Sequence, residues 1–306
     1  MANRRRVLLL DTLLPDALIL SSLVVLALPI WSQILGDRIN LRASQSLPSW
    51  SHPLGTDHLG RDLLVRLSSS LVDAVLPLWA TSILAAILGA AMAIFLAALS
   101  TSDISNFVMR SVRWLATIVG AVPLTIATFA LAVFFEEANL KSIVLALAAV
   151  IFFQSYLQMQ DRIKESHLLG YWTAHEALGG HIIQRIWIYG VRSTWTNELT
   201  VALGMQLRAA VIVEATLSYL GFGIQEPSAS FGNILAAHFA ESLHGKWWVM
   251  AVTLATLLLT ALAPRTFIRI VTRALNFRHF RARQGFHALP TLTVSTLPKQ
   301  VPTTHR

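Results

Sequence analysis

Residues 74–99 have the sequence AVLPLWATSILAAILGAAMAIFLAAL, in which no side chain carries a charge. A helix needs about 20 apolar residues to cross the hydrocarbon core of a lipid bilayer, so this stretch is long enough to span one. Similar runs recur along the chain between hydrophilic segments, and they predict about six transmembrane helices. The predicted spans are Ala17–Leu35, Ala74–Leu99, Trp114–Phe135, Ser142–Met159, Leu199–Leu220 and Trp247–Ile270.

The composition of the whole chain also favours a membrane protein. Hydrophobic residues make up 55% of the chain and charged residues 13%, whereas soluble domains carry about 25% charged residues. A surface this apolar is stable only in lipid or against an obligate partner, and lipid is the simpler explanation. The predicted fold class is therefore all-α, a polytopic membrane helical bundle. The chain has no cysteine, which excludes disulfides, thiolate metal sites and cysteine nucleophiles.

The distribution of basic residues predicts the orientation of the bundle. Lys and Arg are enriched in the cytoplasmic loops of membrane proteins, and this explains the net charge of +8 without nucleic acid as a partner. If the N-terminus is cytoplasmic, most basic residues fall on the cytoplasmic side. Those on the outer side are Arg38, Arg42, Arg61, Arg66, Lys141 and Lys246. Both termini are therefore predicted to face the cytoplasm.

Two hydrophilic segments are longer than simple connectors require. Gly36–Val72 is predicted to form a loop on the outer side of the membrane. Gln160–Thr196 is predicted to form a cytoplasmic loop with two short helices. Four leucines of the first segment share one helical face, namely Leu59, Leu63, Leu67 and Leu71. They predict an amphipathic helix along the outer surface, with Thr56 or Asp57 as its N-cap.

These features divide the chain into three parts. Residues 1–73 hold the first span and the outer amphipathic helix. Residues 74–275 form a core of five spans together with the cytoplasmic loop 160–196. Residues 276–306 are basic and then rich in Thr and Pro, and this composition predicts a disordered cytoplasmic tail.

The outer segment contains the most informative motif, HPLGTDHLGRDLLVR, at residues 52–66. Physically, it is a turn that leads into a capped amphipathic helix and covers the outer mouth of a helix bundle. It also resembles the signature of ABC-importer permeases of the dipeptide, oligopeptide and nickel class, in particular the second permease of their heterodimeric pair. The resemblance implies an outer gate or a dock for a binding protein, formed by His52, Gly55, Thr56, Asp57, Gly60, Arg61 and Asp62.

The predicted cytoplasmic loop contains a second motif, AHEALG, at residues 174–179. It resembles the EAA loop of the same permeases, in which a short coupling helix docks into a groove on the ATPase subunit. A helix of this kind can transmit rigid-body motion from one subunit to another. The residues implied in coupling are Ala174, Glu176, Ala177, Leu178 and Gly179.

A third motif runs from the end of the fifth predicted span into the next loop, with EATLSYLGFG at residues 214–223 and SFGNIL at 230–235. It resembles the corresponding segments of the same family and implies a translocation pathway at Glu214, Ser218 and Gly221. Arg208 and Glu214 are ionisable groups within a span, where a charge is costly and usually faces a cavity or the bundle interior. The alternative is that Arg208 snorkels to the cytoplasmic interface and Glu214 is paired within the bundle.

The three motifs together imply the fold of a type I ABC-importer permease in the bacterial inner membrane. The partners implied are a second permease subunit, two cytoplasmic ATPase subunits, an extracytoplasmic solute-binding protein and the lipid bilayer. The chain has no P-loop sequence, so ATP hydrolysis is expected on a separate subunit, and no enzymatic activity, cofactor or resident metal is predicted. The expected cargo is a di- or oligopeptide, with nickel or a metal chelate as the alternative.

Two other classes of protein fit the sequence less well. An ion-coupled secondary transporter would carry several intramembrane acids, whereas the spans offer essentially Glu214. An intramembrane enzyme would need a catalytic constellation at membrane depth, and His175-Glu176 lacks the second histidine of a zinc hydrolase motif. Three histidines on the predicted outer side could touch a metal but are typical of plain surface residues, namely His58, His238 and His244.

Overall fold

The computed structural model describes residues 39–98, 103–134, 140–167, 174, 177–179, 184 and 195–264. The helices in these residues are α1 Leu63–Ser69, α2 Leu76–Ala98, α3 Asp103–Ala121, α4 Leu124–Phe134, α5 Leu140–His167, α6 Trp195–Tyr219, α7 Phe231–Leu243 and α8 Trp248–Pro264. Over the described ranges, the only strand-like pairing is an isolated bridge between Thr56 and Asp62. The predicted all-α fold class is confirmed. The first predicted span and the C-terminal tail lie outside the described residues.

Three helical segments are long and apolar enough to cross a membrane, namely Leu63–Ala97, Leu140–Glu165 and Leu199–Tyr219. They correspond to the second, fourth and fifth predicted spans. α8 is a shorter apolar helix at the position of the sixth predicted span, and the remainder of that span lies outside the described residues. The described part of the chain is therefore a membrane-spanning helical bundle.

The third predicted span, Trp114–Phe135, is not one helix. α3 ends at Ala121, α4 begins at Leu124, and the chain bends by 105° between them. Pro123 explains the break, because proline has no N–H to donate and disfavours helical backbone in the residue before it. The prediction of one transmembrane helix over these residues is wrong, because the two helices form a broken span or a re-entrant loop.

The predicted amphipathic helix is not a surface helix in the structure. α1 is buried from Leu63 to Ser68, and a π-helical segment, Ser70–Val75, joins it directly to α2. Only part of the predicted leucine face forms, because Leu63, Leu67 and Leu71 share one buried cluster with residues of α6 and α7, whereas Leu59 lies in the turn before the helix. The residues of α6 and α7 in this cluster are Val211, Ala215, Phe231 and Ile234. The helix is buried because the leucines find an apolar protein surface within the subunit.

The N-cap of α1 also differs from the prediction. Asp62 caps the helix, because its carboxylate accepts a hydrogen bond from the backbone amide of Leu64 at 2.8 Å. Thr56 and Asp57 lie further upstream and stabilise the preceding loop instead. The prediction of Thr56 or Asp57 as the N-cap is therefore wrong.

α5 lies at the centre of the bundle, where it contacts α2, α3, α4 and α6. α2 and α5 come close together at Gly89, which lies against the backbone of Phe152. Small residues allow this close approach of membrane helices. Gln206 of α6 donates a hydrogen bond to Ser155 of α5 at 3.1 Å. Because Ile143 near the start of α5 shares a hydrophobic cluster with Leu217 near the end of α6, the two helices run antiparallel.

Candidate functional site

The loop of the first motif folds around the side chain of Asp57. Its Oδ1 accepts hydrogen bonds from the backbone amides of Leu59 at 2.9 Å and Arg61 at 2.8 Å, the arrangement of an Asx-type turn. Gly60 has a φ of +71° and lies against the backbone of Asn40. A side chain at this position would be strained by the left-handed backbone and would collide with that neighbour.

Thr56 attaches the same loop to the preceding segment. Its buried hydroxyl donates to the carbonyl of Ala43 and accepts a hydrogen bond from the amide of Ser46 at 2.8 Å. Gly55 has a φ of +79° and lies close to the Ser46 carbonyl and the Trp248 ring. The Gly-Thr-Asp sequence of the motif therefore has a structural reason at each position.

Two arginines and two acids form a charge cluster that joins the first motif to the third. Arg61 donates from Nε to Asp57 at 2.6 Å and from a terminal nitrogen to Glu226 at 3.0 Å. Arg66 donates to the same Glu226 oxygen at 3.2 Å and to the Pro227 carbonyl at 2.8 Å. The structure thus brings together two motifs that are about 160 residues apart in the sequence.

The charged groups of this cluster are mostly buried. Arg61, Arg66 and Asp57 are almost completely buried, while Glu226 retains partial contact with solvent. Burial alone would lower the pKa of Arg61, but its hydrogen bonds and charge interactions with Asp57 and Glu226 hold that pKa above its usual value. Buried charges of this kind are tolerated because each has an oppositely charged partner.

His52 and Asp62 close the base of the loop. The Nδ1 of His52 lies 2.9 Å from a carboxylate oxygen of Asp62. Since the other oxygen of Asp62 caps α1, one carboxylate ties the start of the motif to the start of the helix. Every predicted outer-site residue is therefore part of one folded loop.

A second polar network joins the end of α6 to the start of α7. Ser218 donates from Oγ to Glu214 at 2.8 Å and accepts from the amide of Ile224 at 3.0 Å. Ser230 and Asn233 form a capping box at the start of α7, with hydrogen bonds of 3.1 and 3.0 Å. Such a box satisfies backbone donors at a helix N-terminus, and here it also fixes the α6–α7 connection.

The predicted pathway residues differ in their exposure. Glu214 is completely buried and Ser218 is 2% exposed, and both face the α6–α7 contact. Gly221 follows the end of α6 with a φ of +86°, and it is exposed. A role of these three residues in a pathway stays a prediction.

Two histidines pack against each other beside the loop. His238 is 2% exposed, and its Nδ1 donates to the Ile234 carbonyl at 2.8 Å, which leaves its Nε2 to accept from His58 at 3.2 Å. Burial lowers the pKa of His238, the Ile234 carbonyl opposes that shift, and nearby His58 lowers the pKa further. Among the described residues, no group of three or more His, Asp or Glu side chains could hold a metal ion.

Part of the predicted coupling motif is described. The amide of Leu178 donates to the carbonyl of Ala174 at 3.2 Å, so these residues form a helical turn that includes Ala177. Gly179 follows with a φ of +76°, and Leu178 is 86% exposed. Glu176 lies outside the described residues. A glycine in this conformation is the common way for a helix to end.

Sequence reasoning did not single out Glu226, although this residue accepts hydrogen bonds from both arginines of the cluster. The sequence did contain a signal, because Arg61 and Arg66 lie on the predicted outer side of the membrane, where few other basic residues occur. Their proximity to an acid in the third motif becomes evident only in three dimensions.

These spans and buried polar loops define the class of the protein, which is a polytopic α-helical membrane protein. Comparison with known proteins then identifies its particular relatives. The chain is 29% identical over 258 residues to a candidate peptide transport system permease of Brucella suis biovar 1 (strain 1330), a match that covers 80% of this chain and 81% of the relative. It is 25% identical over 222 residues to the di/tripeptide transport system permease protein DppC of Pseudomonas aeruginosa (strain UCBPP-PA14), with 71% of each chain covered.

A second protein of Brucella suis biovar 1 (strain 1330), a candidate peptide permease, is 27% identical over 217 residues, which cover 70% of this chain and 68% of the relative. No protein-family model matches the chain. The chain is thus related to permease components of bacterial peptide transport systems, and the resemblance found in its motifs is confirmed.

Proposed function

We propose that this chain is a permease subunit of an ATP-driven, binding-protein-dependent peptide importer in the bacterial inner membrane. The observation that carries the proposal is its similarity to peptide permeases over 70–80% of the chain. In this role both termini face the cytoplasm, and the chain itself carries out no bond chemistry. A second permease subunit, two ATPase subunits and an extracytoplasmic solute-binding protein complete the transporter.

The separation of the two motif-bearing ends supports alternating access. α6 has 25 residues, so it is about 37 Å long. Its C-terminal end meets the network with α7, whereas its N-terminal end follows in the sequence the segment that contains Gly179. Rigid movement of α5 and α6 can therefore couple a conformational change at the outer face to a conformational change at the ATPase subunits.

In the outer segment, buried and exposed residues have different proposed roles. Asp57, Arg61 and Arg66 are buried, so we assign to them the shape of the loop and not direct contact with a binding protein. The preceding residues include Leu47, which is 70% exposed, and Trp50, which is fully exposed. Exposed aromatic side chains are frequent anchors of protein interfaces, and we place the binding-protein dock in this segment.

The proposed function is tested by reconstitution. The chain is combined with a second permease subunit, ATPase subunits and a solute-binding protein, and uptake of radiolabelled dipeptides into proteoliposomes is measured. We expect uptake to require ATP, the ATPase subunits and the binding protein together. Uptake that continues without the ATPase subunits would contradict the proposal and favour an ion-coupled transporter.

The Gly179→Val variant is expected to reduce ATP-dependent uptake by about tenfold or more. A β-branched residue is strained at a φ of +76°, by about 1–3 kcal/mol, and so changes the end of the coupling turn. Among the described residues other than its chain neighbours, no atom lies within 4 Å of the position of a Cβ at residue 179, so their packing should be unaffected. Uptake and peptide-stimulated ATP hydrolysis are the measurements.

Gly179→Asn is the matched control for this variant. Asparagine tolerates the left-handed conformation much better than valine does, so most of the uptake should remain. Both variants should appear in the membrane fraction at wild-type levels. Normal uptake by Gly179→Val would rule out a coupling role for this turn.

A further inference from the structure

α6 has one exposed face along its length. The exposed residues recur every three or four positions, and they are Val201, Met205, Arg208, Ile212, Thr216 and Tyr219. This spacing places them in a single stripe along a helix. Residues on the opposite side, such as Leu207, Val211 and Leu217, are buried against other helices of the subunit. The stripe is therefore the side of α6 that faces away from its own bundle.

Arg208 lies at the middle of this stripe and of the span. Within Leu199–Tyr219, its Cα is about 14 Å from one end and about 17 Å from the other, since each helical residue rises 1.5 Å. The hydrocarbon core is about 30 Å thick, so a span of this length covers it and the Cα of Arg208 lies near the middle of that span. No hydrogen bond or ion pair reaches Arg208 from the part of the chain that the structure describes.

A charge in this position cannot be placed against lipid without a large cost, because arginine stays ionised and acyl chains offer no hydrogen-bond acceptor. A permanent contact with a companion subunit would require a matched buried acid, and both charges would lose their hydration. A water-filled passage imposes neither requirement.

We propose that this stripe of α6 is a wall of the translocation pathway and that Arg208 binds a carboxylate of the cargo as it passes. The proposal rests on the proposed function, since a linear peptide with an unmodified C-terminus carries a terminal carboxylate. The planar guanidinium matches a carboxylate with two parallel hydrogen bonds. The carboxylate can come from the C-terminus of a peptide or from an acidic side chain, and the chemistry of recognition is the same.

The first test uses the absence of cysteine from the chain. A single cysteine, Ile212→Cys, lies one turn from Arg208, and Val213→Cys is a buried control. In the assembled transporter, with partner proteins freed of reactive thiols, each variant is treated with an anionic or a cationic methanethiosulfonate. We expect both reagents to label Ile212→Cys and neither to label Val213→Cys.

Arg208 should also set the charge preference of this labelling. One positive charge about 5–6 Å away favours the anionic reagent, and removing it with Arg208→Gln should lower the anionic-to-cationic rate ratio about threefold or more. Arg208→Lys should keep the ratio. Failure of both reagents to label Ile212→Cys would overturn the proposal, because it would mean that lipid or a companion subunit covers the stripe.

The second test measures transport by the same complexes. Arg208→Gln should lower dipeptide uptake about tenfold, as expected for the loss of one charge-assisted contact, while stimulation of the ATPase by the loaded binding protein persists. Arg208→Lys should retain most of the uptake. Loss of companion-subunit binding in Arg208→Gln would instead identify a subunit ion pair and overturn the proposal, as would wild-type uptake by Arg208→Gln. If the wild-type complex transports no dipeptide, the proposed function fails, and the labelling ratio still decides the role of Arg208.

Discussion

The Asp57→Ala variant is expected to unfold with a free energy lower by about 3–5 kcal/mol. Asp57 is 2% exposed and neutralises Arg61, which is itself 5% exposed. Its removal takes away the carboxylate that accepts the hydrogen bond from Nε of the buried Arg61. It also leaves the amides of Leu59 and Arg61 without their acceptor.

Thermal unfolding in detergent, followed by tryptophan fluorescence, measures this effect. A loss of this size corresponds to a Tm lower by at least about 6 °C. Asp57→Asn is the matched control, because the amide oxygen can still accept both backbone hydrogen bonds while the charge is lost. We expect it to lie between the wild type and Asp57→Ala. A Tm of Asp57→Ala within about 2 °C of the wild type would show that the cluster contributes little to stability.

The Gly89→Ala variant is expected to destabilise the bundle by about 1–3 kcal/mol. A β-carbon at residue 89 would overlap the backbone carbonyl of Phe152, and backbone atoms cannot move aside as a flexible side chain can. α2 and α5 would therefore have to separate along a contact that buries Leu78, Ile143 and Leu147. The loss should exceed the gain of up to about 1 kcal/mol that alanine brings to a helix interior.

Gly120→Ala supplies the control for this substitution. Gly120 also lies in a helix that packs on α5, but a β-carbon there would be 3.5 Å from a methyl group of Leu157, an ordinary contact. We expect unchanged or slightly higher stability for Gly120→Ala in the same thermal assay. Equal Tm values for the two variants would show that the α2–α5 contact can adjust.

Much of the bundle could be predicted from the sequence, because an uninterrupted apolar run of membrane length is rare in proteins that do not span a bilayer. α2 is of this kind, and α5 and α6 are apolar on average over a stretch of membrane length. The break between α3 and α4 was missed since hydrophobicity averaged over about 20 residues does not register a single proline. Pro123 was visible in the sequence, but its effect on direction depends on local backbone geometry.

The candidate site was less predictable. The first and third motifs could be found separately, but the ion pairs of Arg61 and Arg66 with Glu226 require knowledge of which loops meet. The same limit applies to Arg208 and Glu214. Both lie in one apolar helix, so hydrophobic pattern alone does not tell which of them faces the interior. The structure buries Glu214 and exposes Arg208.

The π-helical segment Ser70–Val75 has a consequence for how this protein can change during evolution. A π turn accommodates one residue more than an α-helical turn, so every side chain beyond it is rotated by about 100° relative to a continuous α-helix. Leu63 and Leu67 before the segment, and Leu78 after it, are all completely buried. Deleting one residue from the segment would rotate the helix on one side of it relative to the other. Either Leu63 and Leu67 or Leu78 would then face out of the bundle. We expect homologous chains to vary freely in side chains across this segment while keeping its number of residues constant.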